Sequence, residues 1–350
     1  MKIILDVMSG DNAPLETLKG AVRAGAQKFS EGVEFILVGN ENVIKKTAEE
    51  NKLDISGFEI RHAESVLTMG DDPMAVMKEK NDSSLATGLK MLAEGEGDAF
   101  VSAGNTGALF CGSSLIVKRV KGIQRAAIGA LLPLSKPVML MDSGASVKVN
   151  EDYLHLFAIM GSAYMHAMYG VDSPKVALVN NGAEEHKGTE LQQAAYPMLK
   201  ASKFINFVGN VEGNQLPNGY CDVAVCDGFV GNIMLKTIEG MGKLLSGELK
   251  NIFKSGLGGI LAYLLVKKQM KSFKKKFDAK EHGGAPILGL SKTVIKAHGS
   301  SDAKAFMNAV RQAINCERSG VCNIIAKSAE EYSAEKKRLK AEAAEKSENE

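Results

Sequence analysis

Along the chain, short apolar runs that end at Gly, Asn or Asp alternate with longer segments in which apolar positions recur every three or four residues. Alternation of a strand-length with a helix-length pattern is the signature of βαβ units, so an α/β fold with a largely parallel sheet is predicted. Strands are expected over Lys2–Met8, Glu34–Val38, Glu59–His62, Ala99–Ser102, Ala127–Leu131, Val138–Asp142, Lys175–Asn180, Ile205–Val208, Asp222–Cys226 and Thr293–Ala297. Several are apolar at successive positions, as strands buried on both faces are. Helices are expected over Leu15–Phe29, Ser84–Glu94, Gly107–Lys118, Asp152–Tyr169, Thr189–Ala201, Gly231–Phe253, Leu257–Phe277 and Asp302–Ile314.

The 350 residues exceed the size at which a single core usually stops growing. The organisation expected is one α/β body over 1–325, with an inserted basic amphipathic helical segment at about 251–280, followed by a charged tail over 326–350. Forty-three basic against 41 acidic residues leave a net charge of +2, too balanced for a protein that holds nucleic acid through its overall field. The five cysteines are odd in number and lack a C-x-x-C spacing, which points to reduced thiols rather than a disulfide framework or a thiolate zinc site. Asp6 interrupts the apolar opening at once, so no secretion signal is expected. The longest uncharged apolar stretch, Ser255 to Val266, is well short of the roughly 20 residues a spanning helix needs.

In parallel sheets ligands bind beyond the carboxyl ends of the strands. Four post-strand loops stand out there: Ser102-Ala103-Gly104-Asn105-Thr106-Gly107, Asp142-Ser143-Gly144-Ala145-Ser146, the Asn180 to Gly188 loop, and Asp227-Gly228-Phe229-Val230-Gly231-Asn232. Glycines let such turns present successive N–H groups, and a helix N-terminus adds partial positive charge, so the loops suit an anion, phosphate above all. One Gly-Asn turn alone need only connect a strand to a helix; four together argue for more. No G-x-x-x-x-G-K-[ST] or G-x-G-x-x-G motif supports ATP or NAD, and no metal-ligand spacing appears, so neither cofactor nor metal is expected. Lys187, the one cation inside a Gly-bounded loop, is placed to neutralise phosphate or an oxyanion. His298, between a strand and a helix, is a candidate base or phosphate donor.

Taken in order, the motifs resemble the phosphate acyltransferase family of bacterial phospholipid synthesis, the acyl-carrier-protein-dependent enzymes. The residues that carry the resemblance are Leu5-Asp6-Val7-Met8-Ser9-Gly10-Asp11 with Ala13-Pro14, Lys80-Asn81-Asp82-Ser83-Ser84, Ser102 to Ala108, and Asn206 to Gly213. Cys226 to Asn232, Gly283-Gly284-Ala285-Pro286 and Lys296 to Lys304 complete it. They cover roughly residues 1–314. Ser9-Gly10, Ser146 and Ala183 depart from the family's usual residues. The resemblance implies a Rossmann-like fold of the isocitrate dehydrogenase and phosphotransacetylase type, a homodimer, acyl-carrier protein as donor, inorganic phosphate as acceptor, and an acyl phosphate passed to a membrane glycerol-3-phosphate acyltransferase. An enzyme using acyl coenzyme A, and a non-catalytic membrane scaffold, are the competing readings.

Catalysis here would rest on positioning and electrostatics. Asn105, Thr106 and the backbone from Gly104 to Gly107 are expected to cradle phosphate, with Ser102, Asp142 and Gly228 lining the substrate site. Lys187 and Asn232 are expected to face the oxyanion, Asp227 and Glu184 to orient Lys187, and His298 to assist proton transfer. Between residues 257 and 277, Leu257, Leu261 and Leu264 share a helical face that Lys268, Lys271, Lys274 and Lys275 follow. That segment suits docking to anionic lipid at the inner face of the cytoplasmic membrane, or to acidic carrier protein; a helix packed on the dimer body with its lysines in water fits equally.

Overall fold

The computed structural model describes residues 1–134, 136–277, 281 and 283–348, without the side chains of 274–277, 340 and 343–348. Its strands are β1 (Lys2–Asp6), β2 (Glu34–Gly39), β3 (Glu59–His62), β4 (Ala99–Ser102), β5 (Ala127–Leu132), β6 (Val138–Met141), β7 (Lys175–Val179), β8 (Asn206–Val211), β9 (Val223–Val225), β10 (Ala285–Leu288) and β11 (Thr293–Lys296). The helices are α1 (Leu15–Gly25), α2 (Glu41–Glu50), α3 (Ser84–Glu94), α4 (Thr106–Gly112), α5 (Glu151–Tyr169), α6 (Glu190–Lys200), α7 (Gly228–Lys254), α8 (Gly256–Phe277), α9 (Ala303–Ser319) and α10 (Val321–Glu348).

All eleven strands join one sheet in the order β3-β2-β1-β4-β11-β10-β5-β6-β9-β7-β8. Two parallel groups, β3 to β11 and β6 to β8 in that order, flank the pair β10 and β5. Antiparallel pairing of β11 with β10, β10 with β5 and β5 with β6 reverses direction three times. The two groups therefore point opposite ways, and the single carboxyl edge anticipated for all four loops is split into two opposite edges. We call the carboxyl edge of β1, β4 and β11 the upper edge, and that of β6, β7 and β9 the lower edge.

Strand alternation sends Ile3, Leu5, Val101 and Met139 into a core beneath α1, α5, α6 and α9, and Ile4, Phe100 and Val294 into one beneath α3 and α4. On that second face Val138, Leu140 and Ala224 pack under α7 through Val230, Met234 and Ile238. The pattern of apolar positions thus predicts both covered faces correctly. Two elements were not predicted: α2, which buries only Ile44 and Ala48, and β10, a four-residue strand containing Pro286. The expected C-terminal tail is helical, and its first turns pack through Ile325, Ala329 and Tyr332.

Helices α7 and α8 fold back at Gly256, bent by 120°. Among the described residues no single helix is long and apolar enough to cross a membrane. Leu257, Leu261, Leu264 and Leu265 are all exposed on α8, as are Lys268 and Lys271. The side chains of Lys274 and Lys275 lie outside the described residues.

Candidate active site

One face of the sheet carries α3 and α4 on one half and α7 on the other, with β10 and β5 between them, and we call the strip between α4 and α7 the cleft. Helix α4 leaves the upper edge after Ser102, and its Phe110 ring reaches Arg125, whose guanidinium carbon lies 5.8 Å from the ring centroid. Arg125 Nε in turn donates to the Ser146 hydroxyl at 2.8 Å, on the lower edge. Helix α7 leaves the lower edge after Asp227 and lies against β6 and β5. On the upper edge burial lowers the pKa of His298 and Lys296, and the charge of Lys236 on α7 lowers both further. Arg125 thus links α4 to the Ser146 loop.

At the upper edge the strand register lines up Asp6, Ser102 and Lys296. Ser102 donates to the Asp6 carboxylate at 2.7 Å and accepts from the Gly104 amide at 3.0 Å. Asp6 is completely buried, and burial pushes its pKa up against the hydrogen bond from Ser102 and weaker help from Ser9 and Ser84. The hydroxyls of Ser9 and Ser84 stand near it without reaching hydrogen-bond geometry. Asn105 is committed to structure: its Oδ1 caps α4 at the Ala108 amide, and its Nδ2 donates to the Met69 and Asp71 carbonyls. The backbone amides of Thr106 and Gly107 have no intramolecular acceptor among the described residues, as the first turn of a helix leaves them. His298 Nδ1 accepts from the Ser300 amide at 3.2 Å, and burial, with Lys236 next, lowers the imidazole pKa.

At the lower edge Asp142 accepts backbone N–H bonds from Ile128, Gly144, Ala145 and Ser146. Burial outweighs these bonds and raises its pKa. A buried carboxylate so fully occupied shapes the loop. Asp227 likewise caps α7, accepting from Phe229 and Val230 at 2.9 and 3.0 Å. Gly228 packs so tightly on that loop that a Cβ would stand 2.8 Å from the Ser146 nitrogen. Asn232 is exposed, with Cβ and carboxamide beside Gly144.

Lys187 is half-buried, its aliphatic stem and the Glu184 carboxylate both crowding Gly182. The Lys187 amide donates to the Glu184 carbonyl at 3.1 Å, but among the described residues no side-chain hydrogen bond or ion pair joins Lys187 to Glu184 or Asp227. An open hollow of about 600 Å³ on the same loop is lined by Glu185, His186, Tyr196 and Lys200, and shares none of the predicted site residues.

Of the predicted residues, Ser102, Gly104, Asn105, Thr106, Gly107 and His298 gather at the upper edge, and Asp142, Glu184, Lys187, Asp227, Gly228 and Asn232 at the lower. Sequence reasoning singled out neither Arg125, Lys236 nor Lys296 as a functional residue. Only Lys296 left a signal, as a lysine closing the otherwise apolar Val294-Ile295 strand. Among the described residues no three His, Cys, Asp or Glu side chains gather as a metal site requires.

A family model described as fatty acid synthesis protein matches residues 1–324. The chain belongs to this family. It is 45% identical over 315 residues to a phosphate acyltransferase of Dictyoglomus turgidum, covering 89% of this chain and 93% of that one. It is 44% identical over 317 residues to a phosphate acyltransferase of Clostridium botulinum, covering 90% and 94%. The resemblance seen in the loop motifs is therefore a family relationship, and the chain is an enzyme of the acyltransferase class. The fold is that of a solved phosphotransacetylase from Streptococcus pyogenes, with a TM-score of 0.57 at 17% identity over 90% of this chain and 93% of that one.

Proposed function

We propose that the enzyme transfers a fatty acyl group from the thioester of acyl-carrier protein to inorganic phosphate, forming an acyl phosphate for phospholipid synthesis. The observation that carries this reading is the near full-length identity to proteins named phosphate acyltransferase. Such a reaction asks for little covalent chemistry from the protein. Phosphate needs no activation at neutral pH, so the protein must hold it against the carbonyl carbon and stabilise the tetrahedral oxyanion. One phosphate oxygen attacks the thioester carbon, the C–O bond forms, and collapse of the oxyanion expels the carrier's thiolate.

In this reading Thr106 and the free amides of Thr106 and Gly107 cradle phosphate, while Lys187 and Asn232 donate to the oxyanion. Asn105, Asp142 and Asp227 hold the loops in place, which is a positioning role. The thiolate is a good leaving group, so proton transfer from His298 is a minor contribution. The exposed leucines of α8, with Lys268 and Lys271 beyond them, fit the inner face of the cell membrane, where each lysine near anionic lipid contributes about 1 kcal/mol. A homodimer there would hand its product to a membrane glycerol-3-phosphate acyltransferase.

The test is to incubate the protein with acyl-carrier thioester or acyl coenzyme A, with and without phosphate, and trap acyl phosphate with hydroxylamine. Phosphate-dependent hydroxamate from the carrier-bound donor is expected, falling by about 10²–10³ in Lys187→Ala. No hydroxamate from wild type sinks the activity, and wild-type turnover in Lys187→Ala removes that residue from it. Binding to anionic vesicles that survives Lys268→Glu with Lys271→Glu refutes the lipid contact.

A further inference from the structure

Resting on the acyl-transfer reading, we propose that Lys296 is a further catalytic residue, its ammonium holding the inorganic phosphate at the upper end of the cleft. The register places it beside Ser102 and Asp6 on the face that α4 and α7 cover, at the strand end where the Gly104 and His298 loops begin. It is only 8% exposed. A lysine this buried ordinarily has a carboxylate partner, because an uncompensated charge in the interior is expensive. Lys296 has none within ion-pair distance among the described residues, and Nζ donates only to the carbonyl of its neighbour Ala297. An ammonium carries three N–H donors, so two remain for a ligand.

The surroundings fit an anion as that ligand. Lys236 of α7, ion-paired with Glu239 at 2.8 Å, adds its charge near the group, and His298 follows two residues on with Nδ1 occupied by Ser300. Asp6 from β1 and Asp11 from the following loop pull the Lys296 pKa up; burial and Lys236 pull it down, and burial prevails, leaving it at about 8. The group is therefore largely cationic at neutral pH and gives up its proton as pH rises through about 8. Asn232 stands one turn before Lys236 on α7, about 6 Å along the helix axis, so α7 runs from the proposed oxyanion donor towards the upper edge.

The experiment separates phosphate from the acyl donor. A lost charge-assisted hydrogen bond corresponds to a factor of about 10–100, so Lys296→Met is expected to raise the phosphate KM by that factor while leaving the donor KM and the Tm near wild type. In wild type, kcat/KM for phosphate should fall as pH rises through about 8. That limb should disappear in Lys296→Arg and move upward in Lys236→Gln; phosphate's own ionisation is common to all variants. An unchanged phosphate KM in Lys296→Met, or a limb that persists in Lys296→Arg, overturns the proposal. If Lys296→Met does not fold, the limbs of the other two variants decide it. Inorganic phosphate binding, followed by ³¹P line broadening without any thioester, keeps the two readings apart. Wild-type binding that Lys296→Arg retains and Lys296→Met loses supports the site even if no acyl phosphate is ever formed, whereas acyl transfer with undiminished phosphate binding in Lys296→Met refutes the site alone.

Discussion

Arg125 Nε donates to the Ser146 hydroxyl at 2.8 Å, and that one bond joins the segment preceding β5 to the loop that Asp142 organises. The guanidinium also lies over Phe110, so a single side chain touches both walls of the cleft. A guanidinium offers five N–H donors, and among the described residues one is used within the chain. The other four have no acceptor among the described residues. Arg125→Ala is expected to lower kcat/KM by a factor of about 10–100, with a much smaller change in Tm. Arg125→Lys should recover little, since a point charge cannot reproduce the planar fork. Steady-state kinetics beside a thermal melt check this, and a fall in Tm without a kinetic loss would reduce Arg125 to a strut.

Gly231 lies where the first turn of α7 crosses the end of β6. A Cβ there would stand 1.9 Å from the Asp142 carbonyl oxygen and 3.1 Å from Cys226 Sγ. Neither neighbour can yield, because the first is backbone and the second is completely buried. Gly231→Ala should therefore force α7 off the sheet and cost several kcal/mol, in the range known for overpacked cores or beyond. Gly240, about two and a half turns further along the same helix, has nothing within 4 Å of its Cβ position. Gly240→Ala should stabilise by about 0.5–1 kcal/mol through helix propensity. Urea unfolding of the two variants tests the contrast, and equal midpoints would contradict the close approach.

These two sites show what the sequence makes legible. The alternation at Ile3, Ile4 and Leu5 predicts a strand covered on both faces, and Ser84–Glu94 is a helix with the bounds its period and its Gly95 stop predict. The loops after strands are also found where the Gly-Asn-Ser clusters place them. Strand direction is different: pairing of β5 with β10 depends on contacts between residues about 160 positions apart, as for Ile128 and Ile287, and no local pattern encodes it. That reversal puts the Asn105 loop and the Asp142 loop on opposite edges, with α7 leaving the lower one. Arg125 and Lys236 are ordinary charged residues until that arrangement exists. Asn105 and Asp227 were legible as loop residues but not as caps, since Asx capping and ligand binding use the same side chains.

His155 gives the fold an acid limit that the cleft does not share. It is 4% exposed on α5, with Nε2 2.7 Å from the Ser202 hydroxyl and its ring edge-on to Tyr332 of α10, 4.7 Å between centroids. Burial, opposed by Asp152 and aided by Lys336, lowers its pKa to about 4. Above the ordinary pKa of 6.5 the ring is neutral in folded and unfolded chains alike, and nothing is lost. As pH falls from 6.5 towards 4 the unfolded chain takes up a proton that the folded one refuses, so stability drains away over that window, by on the order of 3 kcal/mol in full. Below the folded pKa the two states bind protons equally and the loss stops growing. Since Tyr332 and the Lys336–Asp152 ion pair share this contact, the first structure to loosen should be the packing of α10 on α5. His155→Gln should start less stable at pH 8, having lost its ring packing, but should lose less between pH 6.5 and pH 4. Urea midpoints at pH 8, 6.5, 5 and 4 decide it, and parallel losses in the two proteins would show that another group sets the acid limit.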